Sequence, residues 1–105
     1  MYGLVGNKIA GSAPYHAAKG GVVNLTRALA SEWGKYGITV NAIAAGMIDT
    51  KMNARFTVEE KAEFIGNLAI KRIGTPVDVA NAALFLTGEG ASYITGSILA
   101  VDGGM

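Results

Sequence analysis

Gly37-Ile38-Thr39-Val40-Asn41-Ala42-Ile43-Ala44-Ala45-Gly46 is the stretch on which the fold turns. Behind the first glycine, Ile38 to Ala44 form a nearly continuous apolar run rich in β-branched residues. A short run of this kind reads as a strand buried on both faces, as in a parallel sheet covered by helices on either side. Asn41 is its polar exception and needs a hydrogen-bond partner, which marks it as a structural amide. Ala45 to Asn53 then reads as a loop.

Working outward, Pro14 suits the first turn of a helix, where its missing N–H costs nothing, with Ser12 or Ala13 as the cap. The helix is predicted to reach about Lys35 and to stop at Gly37. Val22, Leu25, Leu29 and Trp33 recur at helical spacing and read as its inward stripe, with Trp33 in the core. Gly20 and Gly21 lie inside this helix, where each costs about 1 kcal/mol relative to alanine. Close approach of another backbone is the expected reason. Downstream, Thr57 followed by Glu60 is a capping box, predicting a helix from Val58 to about Leu68. Thr75-Pro76 followed by Asp78 opens another, with Val79, Ala83 and Leu86 inward and Gly88 at its end. Ser97 to Val101 reads as a second strand, and Asp102-Gly103-Gly104 as a closing turn. Helix, strand, helix, helix, strand is an α/β order, and strands joined through helices should lie parallel.

Composition narrows the field. A length of 105 residues is that of a single domain. Half the residues are hydrophobic and only 16% are charged, against roughly 25% in a typical globular domain. A net charge of +1 provides no basic footprint for nucleic acid or an anionic membrane. With no cysteine there can be no disulfide or thiolate metal site, which agrees with a cytoplasmic setting. No apolar run approaches the ~18 residues needed to span a bilayer, and residues 1–11 lack the pattern of a secretory signal.

The chemistry-bearing pair is Tyr15 and Lys19. Residues four apart share one helix face, so an ammonium is held beside a phenol. A neighbouring cation favours the phenolate and brings the tyrosine pKa toward the range of a working acid–base group. Spacing alone occurs in many helices, and the rest of the chain supplies the context.

Tyr15-His16-Ala17-Ala18-Lys19-Gly20-Gly21-Val22 resembles the active-site helix of the short-chain dehydrogenases/reductases. Gly37 to Thr50 resembles that family's strand and nicotinamide-contacting loop. Arg72-Ile73-Gly74-Thr75-Pro76-Val77-Asp78-Val79-Ala80 is similar to its next helix start, and Tyr93-Ile94-Thr95-Gly96 with Val101-Asp102-Gly103-Gly104 to its C-terminal strand. The resemblance implies a single incomplete domain over 1–105, the C-terminal two-fifths of a doubly wound parallel sheet. Its content would be two parallel strands and three helices, completed by oligomerisation. Tyr15 would exchange the proton with a secondary alcohol or ketone, and Lys19 would lower its pKa and hold the nicotinamide ribose of NAD or NADP. Gly46, Ile48 and Thr50 would receive the carboxamide. The helix end Glu32–Ile38 looks most like members acting on sugar-acid ketones or 3-oxoacyl thioesters.

The chain departs from the family pattern at several points. There is no Gly-rich strand–turn–helix fingerprint, which in the family brings the pyrophosphate to a helix N-terminus. The family's serine would fall at or just before Met1, its upstream asparagine is absent, and its usual proline before the glycine is Ala45. An alternative is therefore a self-associating remnant without dehydrogenase activity. A third is a hydrolase or promiscuous esterase using Ser12 or Tyr15. Ser12 reads more simply as a cap, and His16 as a surface or interface histidine. Asp49, Glu59, Glu60 and Glu63 read as a solvated face.

The first strand would have one edge without an intrachain mate, and unpaired buried backbone groups cost roughly 1–3 kcal/mol each. A second copy related by a two-fold axis would cover that edge and the Gly20–Gly21 face together. The expectation is a homodimer or a dimer of dimers, burying roughly 2,000 Å² or more.

Overall fold

In the computed structural model, residues 13–104 are described, the side chains of 13–16 and 52 excepted. Helix α1 runs Ala13–Trp33 and tightens into a 3-10 turn over Gly34–Tyr36. Gly37 ends it as expected, in the left-handed region at φ 76°, with its N–H donating to the Gly34 carbonyl. Strand β1 is Ala42–Ala45, α2 is Val58–Gly66, α3 is Pro76–Leu86 and β2 is Ile98–Val101. Short 3-10 turns at Lys51–Arg55 and Glu89–Ala91 punctuate the connections. The predicted α/β content stands: two strands, paired parallel in the register Ala42↔Ile98 to Ala45↔Val101, and three α-helices.

Both capping boxes form. Thr57 accepts from the Glu60 N–H while Glu60 accepts from the Thr57 N–H, each at 3.0 Å. Thr75 and Asp78 exchange the same pair of bonds at the start of α3. Each box satisfies otherwise orphaned N–H groups from within the local sequence. That is why both helix starts fall where the sequence put them.

The first strand is shorter than predicted and starts at Ala42 rather than Ile38. Val40 and Asn41 are engaged before the ladder begins. The Val40 N–H donates to Thr95 Oγ1 at 3.0 Å, and the Val40 carbonyl accepts from Gly96 at 2.7 Å. Asn41 is the structural amide anticipated. Its Nδ2 donates to the Ile94 carbonyl and its Oδ1 accepts from the Ser97 N–H, tying the entry of β1 to the entry of β2.

The inward face of α1 is not the stripe expected. Thr26 and Ala30 are each 6% exposed, while Leu25 is 57% and Trp33 is 40% exposed. The physical reason is close approach. A Cβ placed on Gly96 would sit 3.5 Å from the Ala30 Cβ, so the helix meets the turn before β2 through a small side chain. A large residue there would lever the helix away. Gly20 and Gly21 have nothing within 4 Å of a would-be Cβ. The backbone expected to approach them is not supplied by the described part of this chain. Among the described residues the buried apolar side chains are Ala30, Leu68 and Ala91. On α3, Val79, Ala83 and Leu86 are half-buried, as predicted, whereas Leu84 and Phe85 are exposed.

Candidate functional site

The loop leaving β1 carries three of the five residues singled out from the sequence. Gly46 donates its N–H to the Val101 carbonyl at 3.0 Å, extending the β1–β2 ladder by one step. A Cβ at Gly46 would stand 2.8 Å from the Asp102 Cα, a backbone atom that cannot swing aside. The glycine is therefore demanded by strand separation, whatever binds beyond it. Ile48 pairs in parallel with Gly74 as an isolated bridge. The Gly74 N–H donates to the Met47 carbonyl at 3.1 Å and the Asp49 N–H to the Gly74 carbonyl at 2.8 Å. Thr50 is exposed and extended, and its hydroxyl caps nothing; its carbonyl accepts from Asn53.

Residues 49–73 are thus an excursion pinned at its neck by Ile48 and Gly74. It is docked a second time near its end. The Ile70 N–H donates to the Gly103 carbonyl at 2.8 Å, and Leu68 is buried. Gly104, at φ 85°, would place a Cβ 2.7 Å from the Ala69 Cβ, so the C-terminal turn and the returning arm of the excursion fit only with glycine. The Gly104 N–H donates to Asp102 Oδ1, closing the turn predicted over 102–104. Between neck and turn lies a cleft of about 340 Å³ with Met47, Ile48, Leu68, Ile70, Arg72 and Asp102 in its walls.

Arg72 and Asp78 flank this neck. The guanidinium meets the carboxylate in a fork, Nη1 to Oδ2 at 2.8 Å and Nη2 to Oδ1 at 3.2 Å. Asp78 Oδ2 also accepts from the Thr75 N–H and hydroxyl. The Arg72 hydrogen bonds and the Thr75 N–H hold the Asp78 carboxyl far below the usual carboxylate range, and the same fork raises Arg72. In the sequence Asp78 belongs to a helix start and Arg72 to the motif that precedes it. That they form one unit was not visible, because the turn between them had to be built first.

The site is where an α/β sheet puts ligands, outside the carboxyl ends of its parallel strands. The fit to a carboxamide can be judged from the backbone. In a parallel bridge successive amides face opposite edges, so with the Asp49 N–H on the Gly74 carbonyl the Ile48 N–H points away from Gly74. It has no acceptor among the described residues. One such donor at the strand ends suits the oxygen of a planar amide. Lys19 is exposed on the first half of α1. Tyr15 lies four residues before it on the same helix, and its side chain falls outside the described residues, as do Ser12 and the side chain of His16. Asp49, Glu59, Glu60 and Glu63 are exposed, the solvated face expected of them. The described structure thus joins Gly46 and Ile48 to one neck, places Thr50 just beyond it, and holds Lys19 on a separate element.

Known proteins share this arrangement. A family model described as enoyl-(acyl carrier protein) reductase matches residues 3–105. The chain belongs to the short-chain dehydrogenase/reductase family. A 3-oxoacyl-(acyl-carrier-protein) reductase from Chlamydia trachomatis serovar D is 45% identical over 95 residues, covering 90% of this chain and 38% of that protein. A solved 4-hydroxyisoleucine dehydrogenase complexed with NADH superposes with a TM-score of 0.84 at 32% identity, over 88% of this chain and 39% of that one. A blue fluorescent protein from a metagenomic library, in complex with NADPH, gives 0.83 at 38% identity over 92% and 39%. The chain spans about two fifths of the length of the curated relatives it matches. Its parallel pair and helices are those of the doubly wound sheet these relatives share. No helix among the described residues is long and apolar enough to cross a membrane.

Proposed function

We propose that this chain carries the acid–base helix and the nicotinamide loop of an NAD(P)-dependent oxidoreductase acting on a secondary alcohol or ketone. A 3-oxoacyl thioester is the substrate class favoured by its relatives. The observation that carries the reading is the neck at Ile48: a backbone donor with no acceptor among the described residues, at the carboxyl ends of two parallel strands, in a loop matching the family. The nicotinamide, when bound, supplies or accepts the hydride. Tyr15 gives or takes the proton at the substrate oxygen, and Lys19, one helical turn on, favours its phenolate and donates to the ribose. Gly46 and Ile48 hold the carboxamide through backbone groups, and Thr50 offers a hydroxyl at its rim. Titration with NADH and NADPH, followed by ketone-dependent oxidation of whichever binds, tests this directly. Tyr15→Phe should lower turnover about 10²–10⁴-fold while leaving cofactor binding in place. Unchanged turnover in that variant, or no binding of either cofactor at millimolar concentration, would remove the activity from this chain.

A second reading is favoured by one observation. Leu25, Leu84 and Phe85 are more than half exposed, and few apolar residues among those described are buried. Sequestering such side chains is worth ~1.5–3 kcal/mol each, which favours an obligate homo-oligomer, a dimer or a dimer of dimers. Sedimentation at micromolar concentration should show no compact monomer. A cooperatively folding monomer would refute self-association.

A further inference from the structure

The cleft, the exposed apolar faces of α1 and α3, and the Arg72–Asp78 fork are the features that the acid–base pair does not use. The fork can be followed furthest. The return arm of the excursion is held at Ile70, by the Gly103 carbonyl, and at Gly74, by Met47 and Asp49. Arg72 lies midway between these two anchors. Its own N–H donates back to the Ile70 carbonyl at 2.8 Å, an i to i+2 bond that makes a tight but shallow turn. Gly74 is bridged to Ile48 and Thr75 caps α3, but no helix or strand stiffens residues 70–73. Besides the backbone passing through Thr75, what ties this stretch to α3 is the Arg72 side chain, whose guanidinium grips Asp78 on the first turn of the helix. Asp78 is itself fixed by the Thr75 N–H and hydroxyl, so one end of the fork is already ordered and the pair loses less freedom on forming.

We propose that Arg72 and Asp78 are positioning residues for the cofactor loop: their fork latches the return arm to α3 and so keeps Gly74 in register with Ile48. This rests on the reading that the Ile48 loop receives the nicotinamide. The chain of contacts is continuous, from Asp78 to Arg72, along the arm to Gly74, and through two backbone hydrogen bonds to Met47 and Asp49, which flank Ile48. With the latch open, Gly74 is still joined to α3 through Thr75, but the arm before it is no longer held to the helix and the neck bonds lose that restraint. The Ile48 donor then loses its fixed direction, and that orientation must be restored each time a cofactor binds.

Arg72→Gln is the cleaner variant, because Asp78 also caps α3 and Arg72 does not. Amide exchange at Asp49 and Gly74 should quicken about three- to fivefold, the range open to a partly exposed ion pair. Exchange at Ala42 and Gly46, inside the sheet, should stay at the wild-type rate. KM for NADH or NADPH should rise by a similar factor with kcat within about twofold, since chemistry at Tyr15 is untouched. Arg72→Lys, which keeps the charge and loses the fork, should fall between. In 1 M salt the wild-type exchange rates at Asp49 and Gly74 should move toward those of the variant, because the pair is exposed. Unchanged exchange at those two amides overturns the latch, as does equal acceleration throughout the sheet. Faster exchange with unchanged KM overturns the positioning role. Should the wild-type chain take up neither cofactor, the cofactor reading fails by that result alone, and the exchange pattern still decides the latch.

Discussion

Helix α1 and the half of the chain from Val40 onward are held in opposite ways. From Val40 on, nearly every connection is closed by a specific bond within the chain: Asn41 to both sides of the β2 entry, Gly46 to Val101, Gly74 to Met47 and Asp49, Ile70 to Gly103. Helix α1 is the longest element, yet its described side chains bury little besides Thr26 and Ala30 near its C-terminal end. Its first half, which carries Lys19 and leads from Tyr15, displays Val22 to solvent, and Leu25 just beyond it is exposed as well. The loop proposed to take the cofactor is thus fixed by its own chain, while the helix proposed to carry the acid–base pair is left largely exposed by the described residues. Positioning a proton donor within hydrogen-bond reach of a substrate requires both.

The comparison is broken most severely by substitutions in the well-held half. Gly46→Ala drives a methyl into the Asp102 backbone and should destabilise the fold by about 1–3 kcal/mol, read by denaturant titration. Asn41→Ala leaves the Ser97 N–H without its acceptor and should cost about 1–2 kcal/mol. An Asn41→Ala variant as stable as wild type would show that the two strand entries are joined by something other than this amide. Thr75→Ala removes the cap of α3 and should cost about 1 kcal/mol, with Thr57→Ala on α2 close to it. On α1 the expectation reverses. Leu25→Ser should change the stability of the chain's own fold by less than about 0.5 kcal/mol yet weaken association in sedimentation. If it unfolds the chain without altering association, α1 is covered from within and the contrast disappears. The smallest effect concerns pH. Asp78 has its folded pKa depressed, so its contribution is complete above the ordinary carboxylate pKa and fades only as pH falls through the folded value. Exchange at Gly74 should therefore stay flat, after correction for intrinsic rates, from pH 7 to about 5, and accelerate only in stronger acid.

What was legible beforehand follows the range of the interactions involved. Thr57 with Glu60 and Thr75 with Asp78 act across three residues, so the start of each helix could be read directly, as could the stop at Gly37. Helix α2 was predicted to run to about Leu68 but ends at Gly66, because Leu68 is drawn into the contact with the C-terminal turn. Strand β1 begins at Ala42, four residues after the start of the apolar run, for a similar reason. Ile38 to Ala44 has one hydrophobic character throughout, and only Thr95 and Gly96, far along the chain, capture Val40 before the ladder begins. On α1, periodicity found an apolar stripe but could not tell that a glycine turn would press against Ala30. A stripe records which residues are apolar, not which neighbour arrives or how closely.

By itself the sequence determined the order of elements, their parallel α/β arrangement, the helix caps, the structural role of Asn41 and the family. All of these depend on local backbone preference or on motifs that persist as strings of residues. Only the tertiary structure decided that Gly46 is required by the Asp102 backbone, that residues 49–73 are gathered at Ile48 and Gly74, and that Arg72 closes on Asp78. The first follows from the β1–β2 pairing, the second from a separate bridge and the third from the turn between Arg72 and Asp78, and none of these distances is encoded by spacing along the chain.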